Sequence, residues 1–435
     1  METKKYAIIV VGGGFAGSAA AIAAARYGKS VLLIEKYNCL GGVACYNLVN
    51  PFMPYWTRDP NTGKKVLLSK GLFNEIIKDL HKLGGMREND TMCFNHEVLK
   101  YVLMKKAIES GVQILFQTQV TGVQKNVNRI ESLTVASVSG EMKLTADYFI
   151  DATGDANVSF LAGCPFELGR ETDNLCQPMT LCFRLANVKA VEGKGNIDGK
   201  TKAKGNPFSI KKINELYRQY QIEGKIKNPR EDVLIFRTVS DSIYHFNTTR
   251  VVKLNPTDIY DVSRAEIEAR EQIFEIYNFL RDNFEEFKDS VLISSGLQIG
   301  VRESRKVIGE YRLVKEDILA CKKFEDSIAV CNYDLDIHSP DGTGTSHYYF
   351  EQGRYYTIPY RSLIPKNMEN LLVAGRCISA SHEVQASLRI MPTCCTIGEA
   401  AGVAAAQASN QRCKVQDIDT SYLQNELLRN GAKIY

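Results

Sequence analysis

The chain has little cysteine chemistry, little excess charge and one tryptophan. Its twelve cysteines are scattered through 435 residues without a C-x-x-C pair. That spacing argues against both a zinc site and a disulfide framework. Most lie in apolar surroundings, as Cys164, Cys182, Cys321 and Cys331 do, and read as small buried hydrophobes of a reducing compartment. No group of them suits an iron–sulfur centre, and no metal site is read elsewhere. The net charge of +4 comes without a long basic run, so nothing argues for nucleic acid. Residues 6 to 25 carry no charge and follow Lys4-Lys5, which imitates a membrane anchor or a signal peptide. Three successive glycines and a helix of Ala and Ser are poor spanning material. The expectation is a soluble cytoplasmic protein with no membrane partner. The 44% hydrophobic and 24% charged content is that of an ordinary globular chain, long enough for two domains with cores of their own.

What is present is concentrated at the start. Tyr6 to Val11 is an unbroken apolar run, as a strand buried on both faces requires. It leads into Gly12-Gly-Gly-Phe-Ala-Gly17, a G-x-G-x-x-G. An alanine-rich helix follows from about Phe15 to Tyr27, then a second apolar strand, Ser30 to Ile34, ending at Glu35 and Lys36. In such a motif Gly12 allows the tight turn, Gly14 lets a diphosphate approach, and Gly17 lets helix press on strand. The N–H groups of Phe15, Ala16 and Gly17 and the positive end of the helix dipole would hold the anion. Glu35 lies 23 residues after Gly12, which suits the two hydroxyls of a ribose and disfavours a 2′-phosphate. Strand, turn, helix, strand and acid in this order predict a dinucleotide site.

The next segment is Cys39-Leu-Gly41-Gly42-Val43-Ala44-Cys45-Tyr-Asn-Leu-Val-Asn50-Pro-Phe. It resembles the glycine pair along the diphosphate and ribityl chain of FAD-dependent oxidoreductases of the glutathione-reductase structural type. The wording is similar to one branch, the FAD-dependent oxidoreductase family, itself a distant relation of the succinate dehydrogenase and fumarate reductase flavoproteins. The resemblance implies FAD as cofactor and an α/β fold: a Rossmann-like FAD-binding domain with an inserted α+β substrate domain. Cys39 and Cys45 straddle the glycine pair with five residues between them, unlike the pair of a disulfide reductase, which follows it. A redox disulfide and a flavin link through Cys45 stay open.

Along the chain, residues 53 to 70 carry turn signals and the tryptophan, and suit a surface excursion beside a pocket or a plain loop. Helices are expected at Gly71 to Lys82 and His96 to Glu109, a strand at Val112 to Phe116, and a meander over 121 to 145 turning at Gly140. The resemblance implies that the backbone of Val120 meets the adenine. Tyr148 to Asp151 is a strand ending in Ala152-Thr153-Gly154, where only small side chains admit a cofactor; the resemblance makes this a second FAD-contacting segment. Asp155 suits either a cap for the helix Asn157 to Ala162 or a ligand contact. Residues 177 to 185 read as a strand, 189 to 206 as a solvated mobile loop, and 263 to 287 as helical. No second G-x-G-x-x-G follows, so no separate NAD(P) domain is evident.

Three later clusters are candidates for substrate. On a helix, Arg302 and Arg305 would share a face, with Glu303 locking the fork of Arg302. That arrangement suits an anion clamp near the flavin or a buried ion-pair network between domains. His347, Arg361 and the tyrosines between 348 and 360 suit a pocket wall or a core. Asn370 to Gly375 is a strand ending in glycine, followed by Arg376 where the wider superfamily has an acid. Pro392 and Thr393 open a small-residue helix, whose N-terminus would face the flavin's pyrimidine edge. His382 and Arg389 stand where fumarate reductases place a His and an Arg, though with six residues between them. His382 would be a base or a ring hydrogen-bonder, and Arg389 an anchor. The expected domains are FAD-binding over 1–50, 95–164 and 366–435, a small excursion over 51–94, and a substrate cap over 165–365. The expected activity is hydride transfer between a small organic substrate and FAD, with a separate electron partner. A flavin monooxygenase and a non-catalytic electron-transfer flavoprotein are the alternatives.

Overall fold

The computed structural model describes residues 5–189, 207–342 and 344–435. The glycine- and lysine-rich stretch read as a mobile loop lies, from residue 190 on, outside them. Strand β1 (Lys5–Val11), helix α1 (Phe15–Arg26) and strand β2 (Val31–Ile34) form as the apolar pattern requires, and β1 pairs with β2 in parallel. A hairpin of β3 (Trp56–Arg58) and β4 (Lys65–Leu67) precedes α2 (Leu72–Lys82) and α3 (His96–Glu109). Asn95 caps α3 by accepting from the Glu97 N–H. Strands β5 (Gln113–Leu115), β6 (Gln119–Asn126), β7 (Arg129–Ser137) and β8 (Gly140–Asp151) complete most of the main sheet. Its order is β5-β2-β1-β8-β7-β6, parallel as far as β8 and an antiparallel meander beyond it.

Short helix α4 (Asn157–Leu161) and strand β9 (Phe166–Leu168) lead into the second unit. There β10 (Phe183–Ala186), α5 (Ile210–Ile222), β11 (Ile235–Arg237), β12 (Tyr244–Phe246), α6 (Ile259–Asn283) and β13 (Val291–Ser295) build an antiparallel sheet, β11-β12-β10-β13, with two helices. It has a hydrophobic core of its own, drawn from residues 179–301, in which Phe183 and Phe246 stack at 4.7 Å. Strand β14 (Arg305–Val307) then pairs with β9. The helix expected through Arg302 does not form. Residues 301–304 are irregular, and Arg305 enters β14 opposite Leu168. The three-residue charge spacing there accompanies no apolar stripe of helical period.

The chain returns through α7 (Lys315–Leu319), β15 (Ser327–Cys331), the two-residue strands β16 (Ile337–His338) and β17 (Thr345–Ser346), and β18 (Tyr356–Pro359). Strand β19 (Leu371–Val373) adds to β8 in parallel. Helices α8 (His382–Leu388), α9 (Met391–Gln411) and α10 (Thr420–Arg429) finish the chain. The residues of 307–364 join the core of the main sheet rather than that of the second unit. Helix α9 lies against α1 at backbone distance: a Cβ added at Gly398 would stand 2.0 Å from the Ala16 carbonyl oxygen. The Ala/Gly/Ser composition of both helices is therefore a packing requirement. Among the described residues no helix is long and apolar enough to cross a membrane.

Candidate functional site

One cavity of about 490 Å³ runs from the turn after β1 to the junction with the second unit. At its first end β1 delivers Gly12, which turns with φ +98°. A Cβ there would lie 2.5 Å from the Ala152 carbonyl oxygen, and one on Gly17 would lie 1.7 Å from that of Gly12. Gly17 therefore packs behind the turn and does not line the cavity, whereas Gly12, Gly14, Phe15 and Ala16 do. Glu35 at the end of β2 is buried, with Oε2 accepting from the Gly13 N–H at 2.5 Å and Oε1 from the Tyr37 N–H at 2.9 Å. Lys36 and Val120 stand beside it in the wall. The first end is thus an array of backbone donors with one anchored carboxylate next to it.

The middle of the cavity is made by two strand ends and the glycine pair. Gly41, Gly42 and Val43 face it; Ala44 is buried behind. Ala152, Thr153 and Gly154 leave β8, held by Asp151, whose carboxylate accepts from the N–H and hydroxyl groups of both Thr153 and Ser159. Gly375 and Arg376 leave β19. Asp155 does not cap α4, whose N-cap is Ala156. Its Oδ1 instead accepts from Arg376 Nη2 at 2.6 Å and from the Ser304 hydroxyl at 2.7 Å. Burial alone would raise this carboxyl; the Arg376 charge and Ser304 outweigh it and hold it below its usual range. The acid beside Arg376 thus follows β8 rather than β19. Cys39 and Cys45 are free thiols. Burial lifts the Cys45 thiol far above its ordinary value, the reverse of what a reactive thiolate needs.

The far end gathers Arg230, Arg302, Arg389, Asp336, His338, Tyr333 and Asn247. Arg302 is fixed by neutral oxygens: Nη1 donates to the Pro178 carbonyl at 2.6 Å and to the Thr180 hydroxyl, and Nη2 donates to Asn247 Oδ1 at 3.4 Å. It does not pair with Glu303 as its neighbour in sequence. Burial and the nearby guanidiniums of Arg230 and Arg389 push Arg302 down to about 9, which leaves it charged at neutral pH. Arg389 Nη2 lies 3.6 Å from Asp336 Oδ2, and its Nε is buried without a hydrogen-bond partner. Burial would raise Asp336, but the hydrogen bond from His338 and the charges of Arg389 and Arg302 hold it well below its usual range. His338 has Nε2 at 3.3 Å from Asp336 and Nδ1 at 3.1 Å from the Thr345 hydroxyl. Burial and the Arg302 charge hold it well below the usual imidazole range, against the pull of Asp336.

Other sequence candidates fall elsewhere. Glu303, fully buried, accepts from Lys306 Nζ at 2.6 Å and pairs with His382 Nδ1 at 2.7 Å. His382 therefore belongs to a buried ionic knot and lines a second recess with Arg170 and Arg312. It is not in the wall of the main cavity. Pro392 and Thr393 are buried in the first turn of α9, whose Met391 and Cys394 line the cavity instead. Tyr356 and Tyr360 are core residues and Tyr349 is exposed. Of the 346–360 stretch His347 alone reaches the cavity wall, paired with Asp334 at 2.7 Å. Arg361 pairs with Asp326 at 2.9 Å, away from the cavity. Sequence reasoning missed Arg230, Tyr333, Asp336 and His338. The run Asp334-Leu-Asp336-Ile-His338, with three ionisable residues at alternate positions, was the available signal.

A parallel sheet with a glycine turn after its first strand, an acid after its second and a second glycine-bearing strand end beside them defines a dinucleotide-binding protein. The chain belongs to the FAD dependent oxidoreductase family, whose model matches residues 7–427. The protein is thus an FAD-dependent oxidoreductase. Dihydrolipoyl dehydrogenase of Acholeplasma laidlawii is 32% identical over 160 residues, which are 36% of this chain and 43% of that protein. The match thus spans less than half the length of that relative. A geranylgeranyl bacteriochlorophyll reductase-like protein from Thermoplasma acidophilum aligns over 99% of this chain and 93% of its own, at 13% identity and a TM-score of 0.44. Aklavinone-11 hydroxylase, solved in a ternary complex with FAD and aklavinone, aligns over 95% of this chain and 63% of its own, at 14% identity and a TM-score of 0.41.

The residues present fit the cofactor. Gly14 and Gly42 approach across the cavity so closely that a Cβ on Gly42 would stand 2.8 Å from Gly14 Cα. That leaves a side-chain-free floor for a diphosphate. Arg376 adds a cation with a buried, unpartnered Nε beside it.

Proposed function

We propose that the protein is a flavin-dependent dehydrogenase or reductase that moves a hydride between FAD and a small anionic organic molecule. The single observation behind this reading is the continuity of the cavity from Gly12 and Gly14 to Arg230, Arg302 and Arg389. In this reading the N–H groups of α1, Gly41, Gly42 and Arg376 hold the diphosphate region, and Glu35 takes the ribose hydroxyls. Val120 borders the adenine, and Ala152, Thr153, Gly154 and Gly375 bring close backbone to the cofactor. Bound FAD supplies the redox chemistry, accepting or returning two electrons with a C–H bond of the substrate. Arg302 and Arg389 anchor the substrate's anionic group and stabilise charge that develops on it. His382 contributes through Glu303, as part of the support beneath Arg302. The FAD-binding domain would comprise 1–50, 95–164 and 366–435, with an excursion at 51–94 and a substrate cap at 165–365. Electrons would reach or leave the flavin by a separate partner.

The test is anaerobic mixing of the FAD-loaded protein with hydroxy acids, dicarboxylates, sugars and amines, followed by flavin absorbance. At least one anionic compound should bleach the flavin, and its neutral amide or ester should do so about thirtyfold more slowly or worse. If none bleaches it, while a reductant and oxygen together give a hydroxylated product, the hydride-transfer reading is wrong.

A further inference from the structure

The far end of the cavity holds more positive charge than its own carboxylates balance. Arg230, Arg302 and Arg389 line it, and Asp336 is the carboxylate set among them. Arg250 lies behind, fully buried, and takes Glu231 at 3.0 Å. Glu231 is 3.9 Å from Arg230 Nε, so these two arginines share one acid. Arg302 is held by carbonyl, hydroxyl and amide oxygens only. Arg389 has Nε and Nη2 buried without a hydrogen bond, and Asp336 stands beyond hydrogen-bond range of it at 3.6 Å. Burial and the Arg302 charge hold His338 well below the usual imidazole range, and Asp334 at the rim is hydrogen-bonded to His347 at 2.7 Å. The four guanidiniums have two carboxylates set among them, Asp336 and Glu231. Repulsion between buried like charges is strong, because little water screens it. Unsatisfied guanidinium N–H groups add to that cost.

We propose that the substrate is a dianion, carrying two carboxylates or one phosphoryl group, and that Arg230, Arg302 and Arg389 receive it. Planar forks of five donors suit the oxygens of either group. The three arginines come from different parts of the fold: a loop before β11, the irregular stretch before β14, and the end of α8. A dianion bridging them would tie the second unit to the main sheet over the cofactor. The proposal rests on the reading that this end of the cavity receives the substrate.

The experiment is calorimetric titration of the FAD-loaded protein with α,ω-dicarboxylates of increasing length, chain-matched monocarboxylates, inorganic phosphate and a methyl phosphate. One dianion should bind about thirtyfold or more tighter than its monoanionic counterpart, and which arm it belongs to identifies the group. Arg230→Gln and Arg389→Gln should each erase about tenfold of that ratio with flavin content and Tm kept, and Arg389→Lys should restore part of it. Monoanions or neutral analogues that bind flavin-loaded protein as tightly as every dianion overturn this proposal alone. Protein that never takes up flavin overturns the site reading along with it.

Discussion

Glycine positions separate cofactor binding from folding residue by residue. Gly14 has φ −66°, and a Cβ on it would stand 3.8 Å from Gly42 Cα, an ordinary contact. Gly14→Ala should therefore fold with an unchanged Tm while FAD affinity drops about tenfold or more, because the methyl group takes the space of the diphosphate. Flavin fluorescence on titration checks this; unchanged affinity would remove the diphosphate from this turn. Gly17→Ala is the contrast. Its Cβ would overlap the Gly12 carbonyl oxygen at 1.7 Å, so it should cost stability whether or not FAD is present. Arg376→Ala leaves the partly buried Asp155 carboxylate with Ser304 but without its nearest counter-charge. A loss of about 1–2 kcal/mol in urea denaturation of the flavin-free protein is expected, and equal stability would show the pair to be idle.

Helices α2 and α9 meet at a carboxylate. Glu399, on α9, is buried and accepts from the Leu72 N–H at the start of α2 at 3.0 Å. Burial raises its carboxyl from 4.5 to about 7, against the hydrogen bond from Leu72. As pH rises from about 4.5 the unfolded chain loses this proton, while the folded chain keeps it until about 7. The contribution is therefore fully present below 4.5 and lost across that window. At pH 8 the wild type carries a buried charge that costs about 3 kcal/mol. Glu399→Gln keeps an acceptor for Leu72 and removes the charge. Its Tm should exceed wild type at pH 8 and match it near pH 4.5, and a difference independent of pH would contradict this assignment. Elements of this kind were legible in the sequence wherever the signal was local. The strands, the glycine turn, α1, α3 and the meander follow from period and punctuation within a few residues of each other. The helix expected through Arg302 failed because charge spacing alone cannot distinguish a helix from an irregular stretch entering a paired strand.

At the scale of the whole molecule the cavity has two ends of different origin. The end at Gly12 is built mainly from a single stretch of some thirty residues, so its chemistry could be read from order and spacing. The arginine end is assembled from residues 178–182, 230, 247, 302, 333–338 and 389, and only folding brings these together. Arg302 stood out within the charged cluster Arg302-Glu303-Ser304-Arg305, and Arg389 by its place before the last small-residue helix. Arg230, in a loop, carried no such mark, and the partner of Arg302 turned out to be Thr180 rather than Glu303. His382 matched a sequence position but not a place in the cavity wall.

The central claim is that Glu35 and the turn at Gly12 grip the adenosine diphosphate half of FAD, while the rest of the cavity takes the flavin. Competitive titration of the flavin-free protein with FAD and with FMN, which lacks the adenosine half, tests it most directly. One FAD should bind per chain, with FMN weaker by about a hundredfold or more. Equal affinity for the two flavins would contradict it.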